Sequence, residues 1–220
     1  MKAFDLITHE IPPLRPSDPI GRALEWMEEF KVAHLPVVDG RRFLGIVKDT
    51  HLVDKDNLDL EVGELVAELD KTVAGATQHV FEVVALFGER HLSIVPVVDE
   101  KYLFLGTITE HDALEYLAKM TNITEPGSTV ILELNTVDYS LFEIARLVEG
   151  NDMKILSMTT EVLDDPQRMQ VILKIDKEDI SPVLQTFERY DYAVRSSHEG
   201  TDHHENNKDR FDELMRYLDI

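Results

Sequence analysis

Two stretches of this chain are near copies of one another. His34-Leu35-Pro36-Val37-Val38-Asp39 returns as Ile94-Val95-Pro96-Val97-Val98-Asp99, with Pro36 and Pro96 60 residues apart. Each Pro-Val-Val-Asp leads through a short turn into a second apolar strand. These strands are Arg42-Phe43-Leu44-Gly45-Ile46-Val47 and Tyr102-Leu103-Phe104-Leu105-Gly106-Thr107-Ile108, with Gly45 and Gly106 61 apart, so one insertion separates the turns. The preceding helices repeat too: Ile20, Ala23, Leu24, Met27 and Phe30 in one copy, Val80, Val83, Val84 and Phe87 in the other, fall at helical spacing. A further helix follows each strand pair, clearest at Ala113-Leu114-Glu115-Tyr116-Leu117-Ala118. A helix–strand–strand–helix unit of about 55–60 residues is too small to bury both faces of its sheet. The copies therefore pack on each other's sheets as a pseudo-two-fold pair with clefts between them.

The pattern changes near Glu125-Pro126-Gly127, a break in regular structure. Beyond it, strand-like and helix-like segments alternate: Thr129–Leu134, a helix through Leu141–Val148, strands at Lys154–Met158 and Met169–Ile175, a helix from Ile180 to about Arg189, and a short strand at Tyr192–Val194. Strand–helix–strand–strand–helix–strand is the order of a ferredoxin-like fold, an antiparallel sheet with both helices on one face. The expected class is α+β, the repeat pair being of α/β type. The expected boundaries are 1–57 and 58–122 for the repeats, 126–197 for the third domain, 198–207 for a polar linker and 208–220 for a C-terminal amphipathic helix carrying Phe211, Leu214, Met215 and Leu218.

Charge narrows the partners. Lys and Arg number 22 against 43 Asp and Glu, a formal charge of −21, which argues against a nucleic-acid groove or an anionic membrane surface. No apolar run reaches the roughly 18–20 residues that span a bilayer, and the first residues lack a secretory pattern. A cytoplasmic location is expected. The absence of cysteine removes disulfides, thiolate nucleophiles and cysteine-ligated metals.

The most informative stretch is Gly106-Thr107-Ile108-Thr109-Glu110-His111-Asp112, running from strand into helix. Such a helix start offers free N–H groups to a phosphate. Thr109 adds a hydroxyl donor, Asp112 an acceptor for ribose hydroxyls, and Gly106 leaves room for a ligand. Thr-x-x-Asp is also close to a capping box, which implies no ligand. The two readings are compatible. His203 and His204, with Asp202 and Glu205, are adjacent in a polar linker and do not converge as metal ligands. His34 and His91 lack a nucleophile at motif spacing, and Trp26 reads as part of a helix packing face.

The repeated Leu/Val-Pro-Val-Val-Asp and the Gly106–Asp112 motif resemble a pair of cystathionine-β-synthase (CBS) domains over about residues 1–120. That resemblance implies a regulatory module with an adenine nucleotide or adenosyl compound in the cleft between copies: AMP, ADP, ATP or S-adenosylmethionine. It places Thr109 at the phosphate and Asp112 at the ribose, beside Gly106 and Thr107. Ala33 and His34 of the opposing copy and the turn at Pro12 would complete the pocket. In the first copy Lys48 and His51 replace the Thr and Asp, so at most one well-formed pocket is expected.

Residues from about 128 to 197 resemble an ACT-like domain. The turn Thr136-Val137-Asp138-Tyr139-Ser140-Leu141 lacks the glycine of amino-acid-binding members, which favours an association surface. Together the layout resembles acetoin-utilisation accessory-type CBS proteins. It implies a non-enzymatic sensor with no catalytic residues, no catalytic cofactor and no metal, acting on an unidentified protein partner or through its own homodimer. The alternative is a ligand-free interaction module.

Overall fold

The computed structural model describes residues 1–52 and 58–198. The chain divides into two compact units, Met1–Tyr116 and Leu117–Ile220. The expected linker residues after His198 and the C-terminal helix lie outside the described residues, as do His203 and His204.

In the first unit, α1 (Ile20–Phe30) buries Ile20, Ala23 and Met27 along one stripe. It stops at Lys31, whose left-handed φ of 55° lets its N–H turn back to the Met27 carbonyl. β1 (His34–Asp39) and β2 (Arg42–Lys48) then pair antiparallel, with a register shift between Val37 and Val38. The second copy repeats each step. After β3 (Ala74–Gly75), α2 (Val80–Arg90) buries Val80 and Val83 and ends at His91 with φ 52°. β4 (Ile94–Val98) and β5 (Phe104–Thr109) pair with the shift between Val97 and Val98, and α3 (Glu110–Met120) follows.

The leader segments set the arrangement of the copies. Leu14 runs parallel to Val37, as Ala74 does to Val97, so each copy adds its own leader to its own sheet. Residues just upstream cross over instead. Thr8 pairs with Thr107 of the second copy, and Asp70 pairs with Ile46 of the first. Each crossing brings the other copy's leader against a glycine: a Cβ on Gly45 would stand 2.5 Å from Leu69 Cβ and 2.9 Å from the Asp70 carbonyl oxygen, and one on Gly106 would collide with Ile7 Cγ2 and stand 3.2 Å from the Thr8 carbonyl oxygen. Only glycine permits this approach. Two cores result, one gathering Leu14, Leu35, Val37, Val47 and Ile94, the other Val38, Ile46, Val95, Val97 and Ile108. Each holds residues of both copies.

The copies differ behind their strand pairs. The sequence predicts a helix in each, but after β2 the described residues form a 3-10 turn, Asp49–His51. Lys48 precedes it and makes no side-chain cap, whereas Thr109 caps α3.

The second unit holds β6 (Ser128–Asn135), α4 (Leu141–Glu149), β7 (Ile155–Val162), β8 (Arg168–Ile175), α5 (Ser181–Arg189) and β9 (Ala193–His198). They form an antiparallel sheet in the order β7-β8-β6-β9. Alternation decides its faces. Met169, Val171, Leu173 and Ile175 join Val130, Leu132 and Leu134 against Ile144, Leu147, Val148, Val183 and Phe187 of the two helices. The Ser140 hydroxyl starts α4 by accepting the Glu143 N–H at 3.2 Å. Buried Glu133 on β6 is held by both Arg168 and Arg195.

Candidate functional site

β5 delivers Thr109 to the start of α3, and there the polar groups close on one another. One carboxylate oxygen of Asp112, Oδ2, accepts the Thr109 N–H at 3.0 Å and its hydroxyl at 2.6 Å. The Thr109 hydroxyl in turn accepts the Asp112 N–H at 3.0 Å. This is a reciprocal capping box. The Glu110 N–H goes to the Ser93 carbonyl at 3.2 Å, which spends a second helix-start donor inside the protein.

The same residues face a cleft of about 520 Å³. Thr109, Glu110, His111, Asp112, Leu114 and Ser93 form one wall. Glu10 and Ile11 from the N-terminal leader, with Phe30, Lys31 and Val32 from the end of α1, form the other. Glu10, Glu110 and Asp112 bring three carboxylates to a lining with one lysine, and Lys31 is itself paired with Glu28. The cap and the cleft therefore coexist, in an acidic setting.

Ala33 and His34 stand behind this wall. The buried His34 accepts the Ser93 N–H on Nδ1 at 3.1 Å, with the Ser93 hydroxyl 3.0 Å away, so its proton sits on Nε2. The Ser93 hydroxyl also accepts the Ala33 N–H at 3.0 Å. Ala33 and His34 thus position Ser93, which the sequence reading missed. The signal was present: Ser93 is the Ala33 position of the second copy, 60 residues on. Burial, reinforced by the Lys48 ammonium, holds the His34 imidazole below its ordinary pKa, against the opposite pull of Asp49 and Asp70.

Three expected residues lie elsewhere. The space beside Gly106 is filled by Ile7 and Thr8, so its missing side chain serves chain packing and opens no path for a ligand. Thr107 is fully buried, and its hydroxyl finds no partner among the described residues. Pro12 borders a separate cavity with Arg15, Arg22 and Trp26. In the first copy Lys48 reaches to 3.6 Å of Asp70 and is no free point charge for a phosphate. Burial would raise the Asp70 carboxyl, but the Thr72 hydroxyl and N–H and the Lys48 ammonium outweigh it and lower its pKa. Among the described residues no group of three His, Asp or Glu side chains could hold a metal ion, and no helix is long and apolar enough to cross a membrane.

A strand-to-helix turn facing the end of a helix from its twin copy, each copy completed by the other's leader, defines a tandem α+β repeat module. The model of the CBS domain family matches residues 3–57 and 64–119, about half of the chain, which therefore belongs to that family. A curated relative, inosine-5'-monophosphate dehydrogenase of Methanocaldococcus jannaschii, is 28% identical over 117 residues, 52% of this chain and 23% of the relative. The chain thus spans less than a quarter of that enzyme. A CBS domain pair/ACT domain protein from Thermotoga maritima is 28% identical, with 54% of this chain and 98% of that one covered at a TM-score of 0.49. CBSX2, solved in complex with AMP, is 23% identical over 54% of this chain and 96% of its own, at a TM-score of 0.45.

Proposed function

We propose that this chain is a non-enzymatic regulatory protein that takes the adenosyl part of a ligand into the cleft at Thr109 and Asp112. The observation that carries this reading is the cleft itself, in which the Thr-x-x-Asp turn faces Phe30–Val32 and Glu10–Ile11 of the other copy. Asp112 spends Oδ2 on Thr109, and Oδ1 is left to accept a ribose hydroxyl. Ile11, Phe30, Val32 and Leu114 supply apolar surface for a purine. The acidic lining disfavours added phosphate charge, so S-adenosylmethionine and AMP should bind more tightly than ADP, and ADP more tightly than ATP. In the same reading the two copies span residues 1–57 and 58–122.

Residues 126–197, within the second unit, are in our reading an ACT-like domain of ferredoxin-like fold. Its strand order supports this, because the first strand and the third are central. Its role is to pair with a second copy of the chain or with a protein partner and to pass on the ligand's effect. Relay requires that the ligand bind one arrangement better than another.

The test is thermal unfolding with millimolar AMP, ADP, ATP or S-adenosylmethionine. A ligand at about 100 times its dissociation constant adds roughly 2.7 kcal/mol, and each kcal/mol moves the midpoint by about 2–4 °C in a chain of this size. Asp112→Ala should abolish the rise. Asp112→Asn, which keeps an acceptor for the Thr109 N–H, should abolish it while retaining most of the unliganded stability. If no ligand moves the wild-type midpoint, Thr109 and Asp112 are a helix cap and the protein is an assembly module.

A further inference from the structure

The cavity that Pro12 borders differs in charge from the others. It measures about 740 Å³ and is lined by Pro12, Pro13, Arg15, Asp18, Arg22, Trp26, Val38 and Gly40. Two arginines stand against one aspartate here. The Thr109 cleft has three carboxylates to one lysine, and the cavity at the end of β6 has four, Glu133, Asp138, Glu143 and Asp191, to the single Arg168. In a chain of net charge −21, this is a place where an anion meets a basic lining.

Its corner is firmly built. Asp18, 6% exposed, accepts the Arg15 N–H at 2.7 Å on one oxygen and an Arg22 guanidinium N–H at 2.6 Å on the other. One donor of Arg22 is used in this way, and its remaining donors are left for a ligand. The Arg15 guanidinium has no partner among the described residues. Trp26, one turn beyond Arg22 on α1, adds a half-buried indole, and the prolines and Val38 give the walls a stiff apolar surface.

The second copy shows which of these residues the fold requires. Sixty residues on stand Gly75, Gln78, Glu82 and Leu86. There Gln78 accepts the Gly75 N–H at 2.9 Å, as Asp18 accepts that of Arg15, and Gln78 bonds Glu82 at 2.9 Å, as Asp18 bonds Arg22. The corner is thus made without either guanidinium or the indole. We infer that Arg15, Arg22 and Trp26 form a second ligand site, particular to the first copy, for a small planar ring bearing a phosphate or carboxylate. The guanidinium forks match such oxyanions, and an indole packs well against a flat ring. This site is independent of the Thr109 cleft.

Trp26 is the only tryptophan of the chain, lining this cavity and packing on the first core, so a ligand seated here is read by intrinsic tryptophan fluorescence. The full chain is titrated with phenyl phosphate, with inorganic phosphate and with benzyl alcohol. Phenyl phosphate should change the emission saturably, inorganic phosphate more weakly, and benzyl alcohol not at all. Arg15→Gln should raise the phenyl phosphate dissociation constant at least about tenfold, the loss expected for one charge-assisted contact. Arg22→Gln, which keeps an amide donor toward Asp18, should do the same with an unchanged urea midpoint. The inference is overturned if phenyl phosphate gives no saturable change, if benzyl alcohol matches it, or if both variants bind it as the wild type does.

Discussion

His34 concentrates at one residue the cost of joining the two copies. It is neutral, buried and bonded to Ser93 of the other copy through Nδ1, and protonation would turn that acceptor into a donor facing an N–H. Its folded pKa lies below the ordinary histidine value near 6.5. The unfolded chain therefore takes up the proton first. The stability contributed by neutral His34 is complete above about pH 6.5 and is lost as pH falls through the lowered folded value. Urea midpoints should decline as pH falls below about 6.5, and His34→Asn, which retains an acceptor near Nδ1, should flatten that decline. An equal slope in the variant would assign the loss to other groups. The sequence disclosed Thr109 and Asp112 because their bond is local, three residues long. Ser93 escaped notice because its role depends on a histidine 59 positions away, a distance no local pattern encodes.

At the scale of elements, the glycines divide by what lies over them. On β2, Gly45 has the Asp70 carbonyl oxygen where a Cβ would go, and that oxygen is fixed by its bond from the Ile46 N–H at 2.7 Å. Gly45→Ala should destabilise by about 1–3 kcal/mol, as overpacking does, read as a fall in the urea midpoint. Gly88 in α2 has nothing within 4 Å of its Cβ position. There the alanine should instead stabilise by about 0.5–1 kcal/mol, through helix propensity and a less mobile unfolded chain. Opposite signs for one substitution at two sites test the leader crossing directly. Elements with a periodic apolar face were readable: α1, the paired strands of each copy, β6 and β8. β9 runs to His198, past the reading at Tyr192–Val194, because Arg195-Ser196-Ser197-His198 carries no apolar alternation to announce a strand. After β2 the described residues form only the 3-10 turn Asp49–His51, whose start at Lys48 has no capping side chain to match Thr109.

The molecule as a whole consists of two units with separate cores. Calorimetry should therefore resolve two transitions, as chains of several domains commonly do. An adenosyl ligand held at Thr109 should raise the transition of the first unit and leave that of the second in place. A single transition that shifts as one would mean that the units unfold together. The repeat made the first unit legible, because two copies in register supply the comparison that a lone sequence otherwise lacks. The second unit was legible only in its order of elements. What its sheet meets is a matter of surface chemistry, and no internal duplicate reveals it.

The crossing of the leaders means that the stretch duplicated along the chain is not the stretch that closes on itself in space. A severed copy would keep its own parallel strand and present an unsatisfied edge where Thr8 or Asp70 now lies. Two identical severed copies could each lend the other that missing strand, so the segment cut out alone is suited to live as a pair. The covalent tether does not create the partnership; it fixes which two sequences enter it. One half is thereby free to keep Thr109 and Asp112 while the other carries Lys48 and His51.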